Sequence, residues 1–189
     1  MAKLHFYYAS MNAGKSTALL QADFNYRERG MTTSLWTAAV DTRTDGLDIV
    51  SRIGIGAPAH RFDSATDLAA AIIAAKPLAA VLVDEAQFLT SAQVWQLARI
   101  ADDADIPVLC YGLRTDFTGA LFAGSAALLA IADRLVELRA VCHCGAKATM
   151  NVRMDTSGHP VRQGAQTEIG GNDRYVALCR RHFRESLNL

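Results

Sequence analysis

One short stretch, Tyr7-Tyr8-Ala9-Ser10-Met11-Asn12-Ala13-Gly14-Lys15-Ser16-Thr17, constrains this chain more than any other. It follows an apolar, aromatic run, Leu4 to Tyr8, that reads as a buried strand. It precedes a helical pattern from Thr17 to about Arg29, closed by Gly30. A strand, a tight Gly-Lys-Ser loop and a helix make a phosphate-binding loop. The backbone N–H groups of such a loop and the positive end of its helix converge on one spot, which suits a polyphosphate. Lys15 adds a point charge for the β and γ phosphates, and the Ser16 hydroxyl can ligate Mg²⁺. The candidate nucleotide loop is therefore Ala9, Ser10, Met11, Asn12, Ala13, Gly14, Lys15, Ser16 and Thr17. The usual pattern opens on Gly, and here Ala9 takes that position. A methyl group is tolerable there only if the local φ is negative.

Downstream, apolar runs alternate with helical patterns. Strands are expected at Thr33–Val40, Ala79–Val83, Pro107–Tyr111 and Asp133–Ala140. Helices are expected at Ser64–Lys76 with Ser64 as N-cap, at Thr90–Asp103 with a Thr90/Gln93 capping box, and at Ala120–Ile131. Alternation of this kind implies an α/β fold, a three-layer parallel sheet of the P-loop, RecA-like type. Residues 41–60 show no sustained period and contain Gly46, Gly54, Gly56 and Pro58. So long an irregular stretch inside a compact domain should be functional or mobile. Composition shifts near residue 140, where long apolar runs give way to two cysteines and a polar, Gly-containing segment. Arg174–Ala177 could be a strand and Arg180–Leu187 a short helix. The expected organisation is a nucleotide-binding α/β domain over 1–140 and a small zinc-binding lobe over 141–189, held by something other than a core.

A second motif belongs to the same chemistry. Ala80-Val81-Leu82-Val83 is an apolar strand that ends in Asp84-Glu85. An Asp at a strand's C-terminal end, beside a phosphate loop, binds the Mg²⁺ shell. Glu85, expected on the other side of the extended chain, could act as general base. Ligands in open α/β sheets sit at the carboxyl ends of strands, where both motifs fall. Such a base can serve water, which makes an ATPase or a switch, or a hydroxyl, which makes a kinase. Phe88 and Phe117 lie just beyond strand ends and could line a slot for a flat base. The polar segment around Gly164–Gly171 could close over a small substrate.

At 189 residues the chain fits one domain, or one with a small appendage. Nineteen basic and 19 acidic residues give no net charge, which argues against nucleic acid or an anionic membrane held by bulk electrostatics. No apolar run is long enough to span a membrane, and the N-terminus lacks the features of a signal peptide. A cytoplasmic location is expected. There, closely spaced cysteines read as metal ligands and not as a disulfide framework. Cys142 and Cys144, then Cys179 and His182, make two soft pairs suited to tetrahedral structural Zn²⁺. His143, squeezed between ligands, is assigned a surface role. Cys110 reads as a small buried hydrophobe. His5, His60 and His159 have no ligand-spaced partner and are assigned nothing.

Taken together, five blocks resemble a known family. They are Met11-Asn12-Ala13-Gly14-Lys15-Ser16, Asp41-Thr42-Arg43, Asp84-Glu85-Ala86-Gln87-Phe88, Tyr111-Gly112-Leu113-Arg114-Thr115-Asp116-Phe117 and Ile169-Gly170-Gly171-Asn172-Asp173-Arg174-Tyr175. The chain is similar, over nearly its whole length, to the type II, zinc-containing thymidine kinases. The last block, beside the Cys/His pairs, is the specific one. The resemblance implies transfer of the ATP γ-phosphate to the 5′-hydroxyl of thymidine, or of deoxyuridine, in pyrimidine salvage. It implies Glu85 as the base, Ser16 and Asp84 around Mg²⁺, and Lys15 on the phosphates. Asp41, Arg43 and Gln87 fall with the nucleotide-binding residues. Met11, Phe88, Leu113 and Phe117 map onto the base pocket. Gln166, Thr167, Glu168, Ile169 and Gly170, with Tyr175, map onto a lasso-like loop that grips the nucleoside through backbone groups. Cys142, Cys144, Cys179 and His182 map onto the zinc ligands. The family also implies a homotetramer, feedback inhibition by dTTP, and neither a nucleic-acid nor a membrane partner. Departures are few: Ala9 replaces Gly, the first cysteine pair is C-x-C, and the chain ends soon after the zinc lobe, without a longer regulatory tail.

Two other classes compete. One is a P-loop ATPase or nucleotide-dependent switch with a structural zinc ribbon. The other is a zinc-ribbon binding module with a vestigial loop. Intact Lys15, Ser16, Asp84 and Glu85 argue against the module. The absence of an obvious arginine finger, Arg43 apart, argues against the switch.

Overall fold

The computed structural model describes residues 1–39, 48–168 and 174–189. Of the expected site residues, Asp41, Arg43, Ile169 and Gly170 lie outside the described residues. In chain order the elements are β1 (Leu4–Ala9), α1 (Lys15–Glu28), β2 (Thr33–Ala38), β3 (Asp48–Val50), β4 (Gly56–Pro58), β5 (His60–Phe62), α2 (Leu68–Ala74), β6 (Ala80–Val83) and α3 (Ser91–Ala104). There follow β7 (Val108–Leu113), α4 (Ala123–Ile131), β8 (Arg134–Glu137), β9 (Ala140–Val141), β10 (Lys147–Ala148), β11 (Met150–Arg153), β12 (Tyr175–Leu178) and α5 (Arg180–Leu187).

Six strands form one parallel sheet in the order β5-β2-β6-β7-β1-β8. The alternation of side chains along a strand divides its apolar residues between two layers of helix. In β6, Val81 and Val83 join the cluster that holds Leu68 and Ile72 of α2, Leu97 of α3 and Leu128 of α4. Ala80 and Leu82 join the opposite cluster, with Leu19 and Leu20 of α1. The expected three-layer α/β architecture is thus present. Cys110 is fully buried in β7, and burial pushes its thiol well above the ordinary range. Among the described residues, no helix is long and apolar enough to cross a membrane.

Local chemistry explains the boundaries. Before α3 the capping box forms as expected: Gln93 N donates to Thr90 Oγ1 at 3.2 Å, and Thr90 N donates to Gln93 Oε1 at 3.0 Å. The second helix starts later than expected. Asp63 Oδ1 accepts from Ala65 N at 3.0 Å and from Thr66 Oγ1 at 2.8 Å, so Ser64 is locked in a turn. Asp67 is the actual cap and accepts from Ala70 N at 3.0 Å. In the stretch without a sustained period, β3 and β4 make a small antiparallel hairpin, and β5, which starts at its end, adds an edge strand to the main sheet. Three-residue strands are too short to show a period of two.

Residues 140–189 are not held without a core. Ala140, Cys142, Ala148, Val152, Leu178, Phe183 and Leu187 form an apolar cluster. Two antiparallel pairs, β9 with β10 and β11 with β12, frame it. Ala13 of the phosphate loop packs against this cluster, so the lobe reaches the loop directly.

Candidate functional site

The phosphate loop joins β1 to α1. Ala9 ends the strand in extended backbone, so its methyl is accommodated. Asn12 and Gly14 take the left-handed conformation, with φ of 63° and 75°. These two positions turn the chain into α1, whose first residues are Lys15 and Ser16. Lys15 Nζ donates to the Ser10 carbonyl at 3.0 Å, folding back over the loop. Ser10 Oγ donates to Ala148 O at 3.2 Å, and Met11 N donates to Asn151 Oδ1 at 2.7 Å. The loop is therefore gripped from behind by the β10–β11 segment.

Asp84 follows the last residue of β6 and is 2% exposed. Its Oδ2 accepts from Ser16 Oγ at 2.7 Å, and its Oδ1 accepts from Glu85 N at 3.0 Å. Burial, and then the neighbouring Glu85 carboxylate, push the Asp84 carboxyl up to about 6. Two oxygens at this separation match the edge of an octahedral Mg²⁺ shell, about 2.9 Å for Mg–O of about 2.0–2.1 Å. Ser16 and Asp84 are thus a fitting pair of ligands.

Glu85 is not in an extended chain. It sits at φ 52°, ψ 36°, a left-handed conformation that is costly for a residue with a side chain, and it opens a 3-10 turn over Ala86–Phe88. The turn is clamped. A Cβ on Gly112 would lie 2.9 Å from Gln87 N, and one on Gly124 would lie 2.5 Å from Ala86 O and 2.7 Å from Leu89 O. Only glycine at both positions lets β7 and α4 come this close. Gln87, 2% exposed, donates through Nε2 to Glu85 Oε2 and accepts at Oε1 from Leu113 N at 2.9 Å. Its amide aims Glu85 and anchors the end of β7.

These elements enclose a cavity of about 310 Å³. Met11 to Thr17, Glu85 and Gln87 line it together with Phe88, Leu113, Phe117, Phe122 and Tyr175, and with Gln166, Thr167 and Glu168. Phe88 and Phe122 meet edge to face, with ring centroids 5.9 Å apart. Ala9, Ser10 and Asp84 are buried beneath the wall. The hairpin residues Val50, Ser51, Arg52 and Ile53 complete the rim.

A separate cluster joins Cys142, Cys144, Cys179 and His182, whose ligand atoms lie within 4.8 Å of one another. Cys142 Sγ is 3.3 Å and Cys179 Sγ 3.5 Å from His182 Nδ1, and Cys144 Sγ is 4.0 Å from Cys179 Sγ. A tetrahedron with Zn–S of about 2.3 Å has an edge of about 3.8 Å, so the set fits Zn²⁺. Burial raises the Cys142 thiol, but the N–H groups of Cys144 and Cys179 and the His182 ring outweigh it and bring the thiol down to about 5. His143 stacks on His182 at 4.2 Å between ring centroids and stands outside the ligand set.

Sequence reading singled out neither Asn151 nor Phe122, nor the hairpin rim. Asn151 is 2% exposed and bridges Met11 N to Thr115 O, to which its Nδ2 donates at 3.3 Å. An amide between the apolar residues Met150 and Val152 was the one available signal.

Comparison with known proteins agrees with this geometry. The family model described as thymidine kinase matches residues 2–183. A thymidine kinase of Novosphingobium aromaticivorans is 74% identical over 99% of this chain and 99% of its own. One from Zymomonas mobilis is 63% identical over 100% of this chain and 99% of its own. One from Vibrio cholerae is 53% identical over 99% of both.

Proposed function

The chain belongs to the thymidine kinase family, and from that premise we propose that it transfers the γ-phosphate of ATP to the 5′-hydroxyl of thymidine, giving dTMP and ADP. The observation that supports this reading is one cavity lined by the phosphate loop, by Glu85 and by the aromatic side chains Phe88, Phe117, Phe122 and Tyr175. An aromatic lining of that kind has no use in an ATPase, whose acceptor is water, so the switch reading is not favoured.

In the proposed reaction the nucleoside base lies against Met11, Phe88, Leu113 and Phe117. Gln166, Thr167 and Glu168 border it, with Tyr175 closing the side. Glu85, held by Gln87, takes the proton of the 5′-hydroxyl as that oxygen attacks the γ-phosphorus. The bond to the bridging oxygen breaks, and ADP leaves. Lys15 and the N–H groups of Asn12–Thr17 hold the phosphates in line. Ser16 and Asp84 would hold Mg²⁺, which would supply charge neutralisation for the phosphates when bound. Cys142, Cys144, Cys179 and His182 would hold Zn²⁺ with four protein ligands, and its part would then be structural.

Several further elements belong to the same reading. One cavity that takes a thymine base and a phosphate chain suits dTTP as a feedback inhibitor. Exposed Phe24 on α1 and Trp95 on α3 support an assembled state, read as a homotetramer. Unbridged Cys142, Cys144 and Cys179 suit the reducing cytoplasm, where salvage of thymidine and deoxyuridine takes place. Functionally, 1–140 is the nucleotide-binding domain and 141–189 the zinc lobe.

The test is direct. Purified protein is incubated with ATP, Mg²⁺ and each nucleoside in turn, and ADP release is followed. Release should depend on thymidine or deoxyuridine. Release at the same rate without any nucleoside would make the protein an ATPase.

A further inference from the structure

We propose that Arg153 is a positioning residue for the nucleoside, locking the aromatic wall formed by Phe117 to the segment Gly164–Glu168. The inference rests on the nucleoside-kinase reading of the cavity and adds to it a residue that acts from behind the wall.

Arg153 is the last residue of β11 and is only 4% exposed. Burying a guanidinium is expensive unless its charge and N–H groups are met. Here parts of the cavity meet the charge and one terminal nitrogen, while Nε is left buried without a hydrogen-bond partner. The guanidinium carbon lies 3.7 Å from the centroid of the Phe117 ring, a close and desolvated cation–π contact. Its first terminal nitrogen donates to Ala165 O at 2.9 Å and stands 3.8 Å from Glu168 Oε2. Its second fills the place a side chain would take at position 164, since a Cβ on Gly164 would lie 2.5 Å from it. Glu168 also pairs with Arg174, so the Arg153 charge is shared along the segment.

The segment is tied to the same wall a second time. Gln166 Nε2 donates to Asp116 Oδ2 at 3.0 Å, one residue before Phe117. Asp116 Oδ1 in turn holds Thr118 N at 2.8 Å and Ala120 N at 3.1 Å, which fixes the loop that carries Phe117. Phe117, Gln166, Thr167 and Glu168 border the cavity, while Arg153 does not. The slot that takes the base therefore has its width set by a residue that does not touch the base. Lysine could not replace it. A point charge lacks the flat face that lies on Phe117 and the fork that reaches Ala165 and Glu168 together.

Three variants test this: Arg153→Lys, Arg153→Met and Gly164→Ala. The last leaves Arg153 in the chain but crowds its guanidinium, and it also strains the backbone, which has φ 148° at position 164, so Arg153→Lys and Arg153→Met are read first. Wild-type and variant proteins are assayed for kcat and for KM toward thymidine and ATP. Amide hydrogen exchange of residues 164–168 is measured in parallel, without ligand. We expect KM for thymidine to rise about 10- to 100-fold, from the loss of the ring contact and the hydrogen bond, with KM for ATP changed by no more than about twofold. Exchange across 164–168 should quicken by at least about tenfold. Arg153→Lys should recover little of either loss. Equal rises in both KM values, or unchanged exchange in the folded variants, would overturn the proposal. If Arg153→Met does not fold, Arg153→Lys and Gly164→Ala decide. Should the wild-type enzyme ignore thymidine while exchange still quickens in the variants, the nucleoside reading falls and the positioning role of Arg153 stands.

Discussion

Ser16 Oγ donates a 2.7 Å hydrogen bond to Asp84 Oδ2, joining the first turn of α1 to the end of β6. The strands that present these residues are not neighbours, because β7 runs between β1 and β6. The bond therefore spans the mouth of the sheet, where open α/β sheets place their ligands. It unites two motifs 68 residues apart in a single cation-ready pair.

Asp84 costs the ligand-free protein stability. Its carboxyl is pushed from 3.8 up to about 6, first by burial and then by Glu85. An acid that holds its proton more tightly when folded loses stability as pH rises from the unfolded to the folded value, here from about 4 to about 6. Asp84→Asn should therefore stabilise the Mg²⁺-free protein near pH 7.5 by roughly 1–3 kcal/mol while abolishing turnover. Thermal unfolding of the zinc-loaded protein without Mg²⁺, repeated across pH, checks this. The gain should shrink as pH falls from about 6 to about 4 and vanish below that, where the wild-type carboxyl is protonated in both states. A gain that does not vary with pH would contradict it.

Gly124 sets the position of Glu85. A methyl there would meet Ala86 O at 2.5 Å and Leu89 O at 2.7 Å, both backbone. Gly124→Ala should cost about 1–3 kcal/mol of stability as α4 and the turn are forced apart. The larger effect should be on kcat, lowered about 10-fold or more by a misplaced base, with ATP binding nearly unchanged. Calorimetric ATP binding alongside steady-state rates separates the two. Normal kcat would mean that the clamp does not govern Glu85.

The Cys/His cluster predicts about one zinc ion per chain by elemental analysis. Stripping it, or Cys179→Ser, should expose 140–189 to protease and raise KM for thymidine, since Asn151 and Arg153 stand on β11 of that lobe. The lobe keeps its apolar cluster around Val152 and Phe183, so loosening is expected and not complete unfolding. Unchanged protease resistance after complete metal removal would show that zinc is not structural.

The sheet, the phosphate loop and Asp84 were legible because their signals are local. An apolar run of strand length, a Gly-Lys-Ser turn and an acid at a strand end each lie within a few residues. The late start of α2 was hidden by a competing turn at Asp63, which only the bonds to Ala65 and Thr66 reveal. The strands β3 to β5 are too short to carry a period. Glu85 was read in extended chain because its left-handed conformation is imposed from outside, by the close approach of Gly112 and Gly124. Asn151 contacts Met11 across 140 residues of sequence, and Arg153 reaches Phe117 from another strand. Contacts of that kind leave no local trace.

The central claim is that Glu85 removes the proton of a nucleoside hydroxyl beside a bound ATP. Glu85→Gln is nearly isosteric and should leave ATP affinity intact. Thymidine-dependent ADP release in this variant should fall about 10²- to 10⁴-fold, as expected on removing a general base. Near-normal turnover with normal ATP binding would remove Glu85 from the reaction and contradict the account.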